Sequence, residues 1–466
     1  MKLIKQNIRR IAAILSVLML SMIVYGAYSI TVFGNRWFSS NANNYARKIK
    51  AGVVAGSIFD RNQQLLADTS TDGKRVYHQQ AAVRSAVVHA VGDSAGNIAY
   101  GAETFMANHL YGFNGSYIQR VMKAIRHEKR RGNDITLTID SMLSADIARL
   151  FPAGKSGAVI VMNYQTGEVL VMQSYPLFDP MRVTREVEMN PLKPFWNRAT
   201  RWLSAPGSTY KVLTLASLLT NDANAQNETY FCAGSLDLTD TSIVDAGGAA
   251  HGHIGLKQAF AVSCNIAFAQ IALNLGDEAM RKTAEAFKLN DYFLFKDIVV
   301  ENSVYPSINR SEKEIAWTGV GQSALAVTPL HMCMVAAAIA NDGVMMEPGL
   351  LLKAASPVGE TVAWYTPKVY ASPVNKHTAD LIADMMAEAV QRGTARGAAV
   401  RGARVCGKTG SAQVDRQADT NAWFIGFLDN PATPYAVCVV VENAGGGGAV
   451  AAPLAGKIFS KLSGRH

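Results

Sequence analysis

The stretch Ala205-Pro206-Gly207-Ser208-Thr209-Tyr210-Lys211 is the most informative part of this 466-residue sequence. Pro206 and Gly207 predict a tight turn, because these two residue types favour the backbone angles of turns. Apolar residues then recur at helical spacing, namely Val212, Leu215, Leu218 and Leu219. The pattern predicts that Ser208 lies at or just before the first turn of a buried helix, with Lys211 three residues further on.

Ser208 and Lys211 have the chemistry of a nucleophile and its base. Residues three apart lie on the same side of a helix, with Cβ atoms roughly 5–6 Å apart. A hydroxyl beside an amine can be activated as a nucleophile, and the N–H groups of a helix N-terminus stabilise developing negative charge. A helix cap followed by a surface lysine would give the same spacing, so this pair alone leaves both interpretations open.

A second motif, Ser263-Cys264-Asn265, lies between two apolar segments of helical character, residues 256–262 and 266–275. Side chains two positions apart diverge on a helix. Ser263 and Asn265 can therefore face one cleft only if the chain turns between the two segments.

A third motif, Lys408-Thr409-Gly410-Ser411, lies on a predicted apolar strand between Gly407 and Ala412. A lysine on such a strand is unusual for a surface position. Small residues around it allow a ligand backbone to lie against the strand edge.

Composition and charge narrow the function classes. The net charge is +9, but no interleaving of aromatic and basic residues predicts a nucleic-acid site. An anionic membrane or cell-wall surface is the expected partner. The five cysteines are odd in number and lack metal-ligand spacing, which leaves their disulfide state open. We expect no metal and no cofactor, and interpret His251 and His253 as loop residues.

The N-terminus predicts a membrane anchor. Four basic residues precede an uncharged apolar run, Ile11–Phe33, which is long enough to span a bilayer. The positive charges predict a cytoplasmic tail at residues 1–10 and an extracytoplasmic location for the remainder. No good cleavage site follows, so we expect an uncleaved, single-pass anchor at residues 11–33.

Strand patterns occur on both sides of a helix-rich middle. Residues 157–162 and 169–172 predict a hairpin, and strands return at 405–412, 422–427 and 435–442 before a closing helix at 451–462. Strands at both ends of a region predict one sheet whose two halves come together.

The three motifs, in this order, resemble the signature of penicillin-binding proteins and class A β-lactamases. Shorter matches indicate the class B, or monofunctional, penicillin-binding proteins; they are Arg61-Asn62, Leu137–Asp140, Asn197–Ala199, Gly321-Gln322, Thr328–Leu330 and Ala422–Phe424. Gln63 replaces the usual glycine after Asp-Arg-Asn, and Ser411 replaces a threonine but keeps its hydroxyl.

The resemblance implies a fold and a domain organisation. The expected fold is an α/β (α+β) transpeptidase/β-lactamase-like fold, with a central antiparallel sheet and helices on both sides. Residues 34–139 are expected to form an elongated pedestal or dimerisation domain, and residues 140–466 the penicillin-binding transpeptidase domain.

The resemblance also implies catalytic roles. Ser208 would attack the carbonyl between two terminal D-alanines of a peptidoglycan stem peptide. Lys211 would be the base, kept neutral by burial and by Lys408. Ser263 would relay a proton to the leaving amine, and a second stem peptide would then take the acyl group as a cross-link.

Substrate binding is implied for the remaining motif residues. Asn265 would hold the substrate amide, and Lys408, Thr409, Gly410 and Ser411 would bind the terminal carboxylate. The N–H groups of Ser208 and Ser411 would form the oxyanion hole. A β-lactam would mimic the substrate and remain on Ser208.

Alternatives remain within and beyond this family. A D,D-carboxypeptidase or a β-lactamase would pass the same acyl-enzyme to water, and a non-catalytic scaffold or sensor would keep only β-lactam binding. About a hundred residues lie between the predicted anchor and the transpeptidase segment, too few for a glycosyltransferase domain together with a pedestal. The resemblance therefore implies a separate partner, a polytopic membrane glycosyltransferase of the shape, elongation, division and sporulation group.

Overall fold

The structure, a computed structural model, describes residues 2–38, 53–112, 130–239, 241–306, 311–413 and 420–464. Residues 39–52 and 113–129 of the predicted pedestal lie outside the described residues.

The N-terminal helix, α1, extends from Lys2 to Phe38. Its segment Ile4–Ser29 has a mean hydropathy of 2.1 over 26 residues. This segment is long and apolar enough to cross a membrane, and most of the predicted anchor at 11–33 lies within it.

Short strands and helices follow in the N-terminal region. The strands are β1 (Val53–Val54), β2 (Ile58–Phe59), β3 (Leu65–Thr69), β4 (Arg75–Tyr77), β5 (Arg130–Arg131) and β6 (Asp134–Leu137). The helices are α2 (Ala81–Ala86), α3 (Val88–Val91), α4 (Ala102–Phe105) and α5 (Ala107–Leu110).

A six-stranded sheet organises this region and recruits two strands from much later in the chain. These are β14 (Leu351–Ala355) and β15 (Thr361–Trp364), and the strand order is β15-β14-β6-β2-β3-β4. Strand β14 pairs with β6 in antiparallel orientation, with Ala354 opposite Ile135. The sheet therefore crosses the predicted domain boundary at residues 139 and 140.

A five-stranded, wholly antiparallel sheet carries the Lys408 motif. Its strands are β7 (Gly157–Asn163), β8 (Val169–Tyr175), β17 (Val405–Ala412), β18 (Asn421–Leu428) and β19 (Tyr435–Val441). The order is β17-β18-β19-β7-β8. The predicted hairpin and the three predicted C-terminal strands are confirmed, and β17 lies at an edge of the sheet.

Helices cover both faces of this sheet. Phe424 on β18 packs edge-on against Phe459 of α15 (Ala451–Ser463). Cys438 on β19 lies on the opposite face, towards Cys333 of α13 (Pro329–Ala340), because residues alternate between the faces of a strand. The predicted fold, a central antiparallel sheet between helices, is confirmed.

The remaining elements lie between the two halves of this sheet, except α6, which precedes β7. The helices are α6 (Ser141–Ala148), α7 (Arg185–Glu188), α8 (Arg198–Arg201), α9 (Lys211–Asn221), α10 (Leu256–Val262), α11 (Asn265–Ala286), α12 (Glu312–Gly319) and α14 (Lys376–Gln391). The strands are β9 (Thr229–Cys232), β10 (Ser235–Leu238), β11 (Thr241–Val244), β12 (Gly252–Gly255), β13 (Met345–Met346) and β16 (Val369–Ala371).

Candidate active site

Ser208 lies in a 3₁₀ turn, Gly207–Tyr210, which leads directly into α9. Gly207 has a φ of 56°, and its N–H donates to the Gly321 carbonyl at 2.9 Å. A Cβ on Gly321 would lie only 1.8 Å from the Gly207 oxygen. The backbone therefore fixes this turn through a contact that only glycine allows at position 321.

The chain turns between α10 and α11, as the second motif predicts. Ser263 ends α10 in the left-handed conformation, with φ 64° and ψ 37°, and Asn265 begins α11. This conformation is uncommon outside glycine, asparagine and aspartate. Because of this turn, Ser263 and Asn265 both reach the amine of Lys211.

Lys211 is fully buried and makes three polar contacts. Its Nζ donates to the Ser263 carbonyl at 2.6 Å, to Asn265 Oδ1 at 2.8 Å and to Ser263 Oγ at 3.3 Å. The ring of Phe268 lies 5.3 Å from the same atom. Burial lowers the pKa of Lys211 from 10.5 to about 7, so its amine can act as a base near neutral pH.

Lys408 on β17 reaches the same hydroxyl from the opposite side. Its Nζ lies 2.9 Å from Ser263 Oγ and donates to the Thr409 carbonyl at 3.1 Å. Burial, and then the charge of Lys211, hold the pKa of Lys408 well below its usual value. Ser263 Oγ thus lies between two buried amines, and we call Lys211, Ser263 and Lys408 the lysine cluster.

Ser208 and Lys211 are not hydrogen-bonded to each other, although their spacing predicts a close pair. Among the described residues, no hydrogen bond joins Ser208 Oγ to Lys211 Nζ. The Lys211 amine is turned to its three partners on Ser263 and Asn265. Catalytic hydrogen bonds of this kind are often long without substrate and shorten when it binds.

Thr409 and Gly410 each contact a residue outside the lysine cluster. Thr409 is buried, and its hydroxyl shares a hydrogen bond of 2.8 Å with that of Thr394. A Cβ on Gly410 would lie 2.7 Å from the Pro206 carbonyl oxygen. The glycine therefore allows the edge of β17 to approach the turn that carries Ser208.

Ser411 is exposed at this edge. Its Oγ accepts from the N–H of Gly447 at 3.1 Å, in the glycine-rich loop that precedes α15. A Cβ on Gly207 would lie 2.8 Å from the Ser411 carbonyl oxygen. The backbones at Ser208 and Ser411, expected to supply the oxyanion hole, thus lie side by side.

Asp245 is part of the site but was missed by the sequence reasoning. It is 4% exposed, and its Oδ1 accepts from the Asn265 N–H at 3.1 Å and from the Ala246 N–H at 2.9 Å. Although burial by itself raises the pKa of Asp245, these hydrogen bonds lower it below its usual value. The signal in the sequence was an aspartate just before the turn residues Gly247 and Gly248.

Comparison with known proteins identifies the family. The model of the penicillin binding protein transpeptidase domain matches residues 157–460, which is well over half of the chain. The match begins at β7 and ends inside α15, so it contains the five-stranded sheet and all three motifs.

Individual relatives agree with this match. Peptidoglycan D,D-transpeptidase PbpA of Mycolicibacterium smegmatis is 32% identical over an alignment of 323 residues, which covers 64% of this chain. The matched chain spans about 65% of the length of that relative.

Solved structures extend the likeness to nearly the whole fold. Penicillin-binding protein A of M. tuberculosis, solved as a ceftriaxone acyl-enzyme complex, has a TM-score of 0.80 at 27% identity, covering 89% of this chain and 99% of that one. The D,D-transpeptidase domain of a peptidoglycan glycosyltransferase from Eggerthella lenta has a TM-score of 0.77 at 28% identity, covering 88% and 98%. This chain therefore belongs to the penicillin-binding protein transpeptidase family.

Proposed function

We propose that this protein is a serine D,D-transpeptidase that cross-links peptidoglycan stem peptides through an acyl-enzyme on Ser208. The observation that carries the proposal is the lysine cluster beside the turn of Ser208. Two fully buried amines flank the Ser263 hydroxyl, and burial lowers the pKa of one of them, Lys211, to about 7. Such an arrangement costs stability and supplies the base that a serine nucleophile requires.

In the first step, Ser208 Oγ attacks the carbonyl carbon of the penultimate D-alanine. The serine proton passes to the neutral amine of Lys211. The N–H groups of Ser208 and Ser411 stabilise the negative charge that develops on the carbonyl oxygen.

In the second half of acylation, the peptide C–N bond breaks and the terminal D-alanine leaves as a free amine. Its nitrogen must gain a proton. The Ser263 hydroxyl supplies that proton and regains one from Lys211, 3.3 Å away. The base of the first step is thereby restored.

Recognition of the substrate uses the edge of β17. An extended stem peptide aligns along this edge, where its backbone can pair with the strand. Asn265 holds the substrate amide, and Lys408, Thr409 and Ser411 provide the positive charge and hydroxyl groups for the terminal carboxylate. Gly410 keeps the strand edge close to Ser208.

The acyl group then passes to an amine of a neighbouring stem peptide. Attack of that amine breaks the ester to Ser208 and forms the cross-linking amide. A β-lactam acylates Ser208 in the same way, but its leaving group remains attached. The adduct therefore blocks the acceptor amine.

We further propose where the protein acts and with which partner. Basic residues in the first turns of α1, ahead of most of its apolar segment, favour a cytoplasmic N-terminus and a catalytic part outside, by the positive-inside rule. A polytopic membrane glycosyltransferase supplies the glycan strands whose stem peptides are linked. Residues 34–139 act as a pedestal that carries the transpeptidase domain, 140–466, above the membrane.

Labelling with a fluorescent penicillin tests the proposed function. The full chain in detergent is compared with Ser208→Ala and with the control Ser204→Ala, a half-buried serine four residues earlier. We expect covalent labelling in the wild type and in the control, and none in Ser208→Ala. Persistent labelling of Ser208→Ala, with the adduct mapped by peptide mass spectrometry to another residue, would refute the assignment.

A further inference from the structure

A cavity of about 320 Å³ lies where the N-terminal sheet meets the β7–β8 hairpin. Strands β14 and β15 contribute to its wall, together with residues from the segments 294–297, 347–349 and 365–368. Gly349 joins this wall to the hairpin. Its N–H donates to the Gly167 carbonyl at 3.0 Å, and its carbonyl accepts from the Val169 N–H at 3.0 Å. The cavity is therefore supported by the main chain of both sheets, and no member of the lysine cluster lines it.

The register of the five-stranded sheet separates this cavity from the acylation site. Across the sheet from Thr409 lie, strand by strand, Phe424, Val439, Val159 and Gln173. Val169, beside the cavity, is four residues from Gln173 along β8. Four strand spacings and four residues of strand place Val169 roughly 20–25 Å from Thr409. A ligand in the cavity is therefore a second point of contact, outside the site where the acyl-enzyme forms.

An exposed aromatic side chain lies at the wall of the cavity. Trp364, at the end of β15, is 65% exposed, although tryptophan is highly buried on average. Lys353, its partner on β14, lies with Nζ 6.0 Å from the centre of the indole ring. Tyr365 is held beside it, because its hydroxyl donates to the Thr166 carbonyl at 2.8 Å. The indole is thus a flat, accessible surface next to a fixed ring.

Asp297 supplies an acceptor inside the cavity. Its Oδ2 accepts from the N–H groups of Leu350 at 2.9 Å and Leu351 at 2.6 Å. Its Oδ1 makes no hydrogen bond to any residue that the structure describes. Burial raises the pKa of Asp297 to about 6, although the two N–H groups act in the opposite direction. Such burial is costly for a carboxylate, and the second oxygen can accept a hydrogen bond from a ligand.

The charges around the cavity balance. Glu347 and Lys368 form an ion pair of 2.7 Å, and Lys296 offsets Asp297 in number. An ionic ligand would compete with the Glu347–Lys368 pair, whereas a neutral ligand leaves it intact. The apolar part of the wall comprises Leu294, Pro348, Leu351 and Ala363. A neutral ligand with several hydroxyl groups and one apolar face fits this combination.

We propose that this cavity binds one N-acetylhexosamine ring of a glycan strand, stacked on Trp364 and hydrogen-bonded through its hydroxyl groups to Asp297. The C–H face of a pyranose ring is apolar and matches the face of an indole. Its hydroxyls donate to a carboxylate in charge-assisted hydrogen bonds, and its acetamido methyl provides an apolar contact. Cavities that combine an apolar lining with a few polar groups are typical small-ligand sites.

A sugar held in the cavity would keep a glycan strand beside the domain that acts on its stem peptides. The separation of the two sites means that the bound ring belongs to a part of the strand outside the cleft. That the glycan is peptidoglycan rests on the proposed function, whereas binding of the amino sugar does not.

Calorimetric titration of the full chain in detergent tests the site. The probes are tri-N-acetylchitotriose and peptidoglycan glycan strands from which an amidase has removed the stem peptides. The variants are Trp364→Ala and Asp297→Asn, and the control is Tyr292→Ala, an exposed tyrosine that does not line the cavity. We expect the control to bind like the wild type and Trp364→Ala to bind at least about tenfold more weakly. Asp297→Asn should show a smaller loss, because the amide oxygen remains an acceptor.

The two probes distinguish the sources of the amino sugar. Binding of both shows that the N-acetylated ring is sufficient, and binding of the glycan strands alone shows that the lactyl ether of peptidoglycan is also recognised. Three results would overturn the proposal. One is a wild-type protein that binds neither probe at millimolar concentration, and another is equal binding by the wild type and Trp364→Ala. The third is binding of a free stem peptide, but of neither glycan, with the same dependence on Trp364.

Penicillin labelling of Trp364→Ala separates this site from the proposed function. We expect its acylation rate to lie within about twofold of the wild type, because Trp364 is far from the lysine cluster. The same measurement shows that the variant is folded. If a glycan binds in a Trp364-dependent manner but penicillin labels no residue of the wild type, the saccharide site stands and the proposed function does not. If Ser208 is labelled but neither glycan binds, the proposed function stands and the saccharide site does not.

Discussion

Two buried polar clusters meet at the Ser263–Asn265 turn, and they differ in the chemical groups that they bring together. In the lysine cluster, two amines converge on one hydroxyl, and burial lowers the pKa of both. In the second cluster, which we call the thiol cluster, one side-chain atom each of Cys232, Asp245, His251 and Cys264 lies within 4.8 Å of the others. The first arrangement lowers the pKa of a potential base, and in the second Asp245 accepts from the backbone N–H of Asn265.

This difference between the two clusters predicts that substitutions in them affect different properties of the protein. A buried amine that is kept neutral contributes little to stability, so its loss should appear mainly in the rate of acylation. Groups that hold a turn in place contribute to folding, so their loss should appear mainly in the free energy of unfolding. The following predictions test this division.

The largest effect is expected for Lys211. We predict that Lys211→Ala and Lys211→Arg both lose at least about 10²-fold in the rate of penicillin acylation, because general-base catalysis contributes 10²–10⁴-fold. Arginine does not help, since a guanidinium does not give up its proton in proteins. Stopped-flow labelling measures the rate, with the exposed Lys257→Arg as control. Acylation of Lys211→Arg at nearly the wild-type rate would remove the lysine from the role of base.

The lifetime of the adduct separates synthesis from hydrolysis. A class A β-lactamase directs a glutamate at its acyl-enzyme, and no acidic residue between the second and third motifs matches that glutamate in its sequence context. Without such a base, water attack should be slower by about 10²–10⁴-fold. We predict that the penicilloyl adduct on Ser208 persists for many minutes to hours, as measured by intact-mass spectrometry. Return of the free mass within seconds would favour a hydrolase.

The pH dependence of acylation is the next largest effect. Since the pKa of Lys211 falls to about 7 in the folded protein, the amine is neutral above this pH and protonated below it. We predict that the acylation rate is level above pH 7 and falls about tenfold per unit below it. The same shift makes stability rise with pH between about 7 and 10.5, because the unfolded chain binds more protons there. A flat rate profile between pH 5 and 9 would contradict the role of Lys211.

A substitution in the thiol cluster should act mainly on stability. We predict that Asp245→Ala lowers the free energy of unfolding by about 1–3 kcal/mol, because the buried N–H of Asn265 loses its acceptor. Acylation should fall only several-fold at temperatures where the variant is folded. Thermal unfolding and labelling rates are compared with Asp237→Ala, an exposed aspartate on β10. A loss of rate as large as that of Lys211→Ala, with stability unchanged, would break the division between the two clusters.

The smallest effect on acylation is expected for removal of the pedestal. A chain that begins near Gly132 keeps β6 and all three motifs but loses β2 and Asp60, whose Oδ2 accepts from the N–H and hydroxyl of Ser141. We predict a lower melting temperature but an acylation rate within about twofold of the full chain, because none of the described residues before 140 contacts the lysine cluster. A folded truncated chain that cannot be acylated would show that the pedestal shapes the active site.

The sequence predicts much of the lysine cluster because its members belong to short motifs. The spacing from Ser208 to Lys211 and the break between two apolar helices around Ser263 are local features, and both predict positions that the structure brings together. The residues of the thiol cluster are instead separated by 6 to 13 positions of strand and loop. None of these spacings resembles a metal motif, so only the folded chain reveals their proximity.

The pairing of β14 with the N-terminal sheet could not be predicted from the sequence either. Residues 351–355 carry a short strand pattern that fits many partners, and its register with β6 is set by tertiary packing. The position of Gly321 is a similar case. Its conformation and its contact with Gly207 depend on the approach of two segments more than a hundred residues apart.

The glycine contacts around Ser208 have an evolutionary consequence. The reactive hydroxyl is positioned by main chain against main chain, at Gly207 with Gly321 and at Pro206 with Gly410. Neighbouring side chains can therefore change during evolution without displacing the Ser208 hydroxyl. The glycines cannot, because any single-nucleotide substitution would add a side chain that collides with the facing backbone. Under selection by an antibiotic, resistance mutations should accumulate in the surrounding shell of side chains and spare this backbone contact.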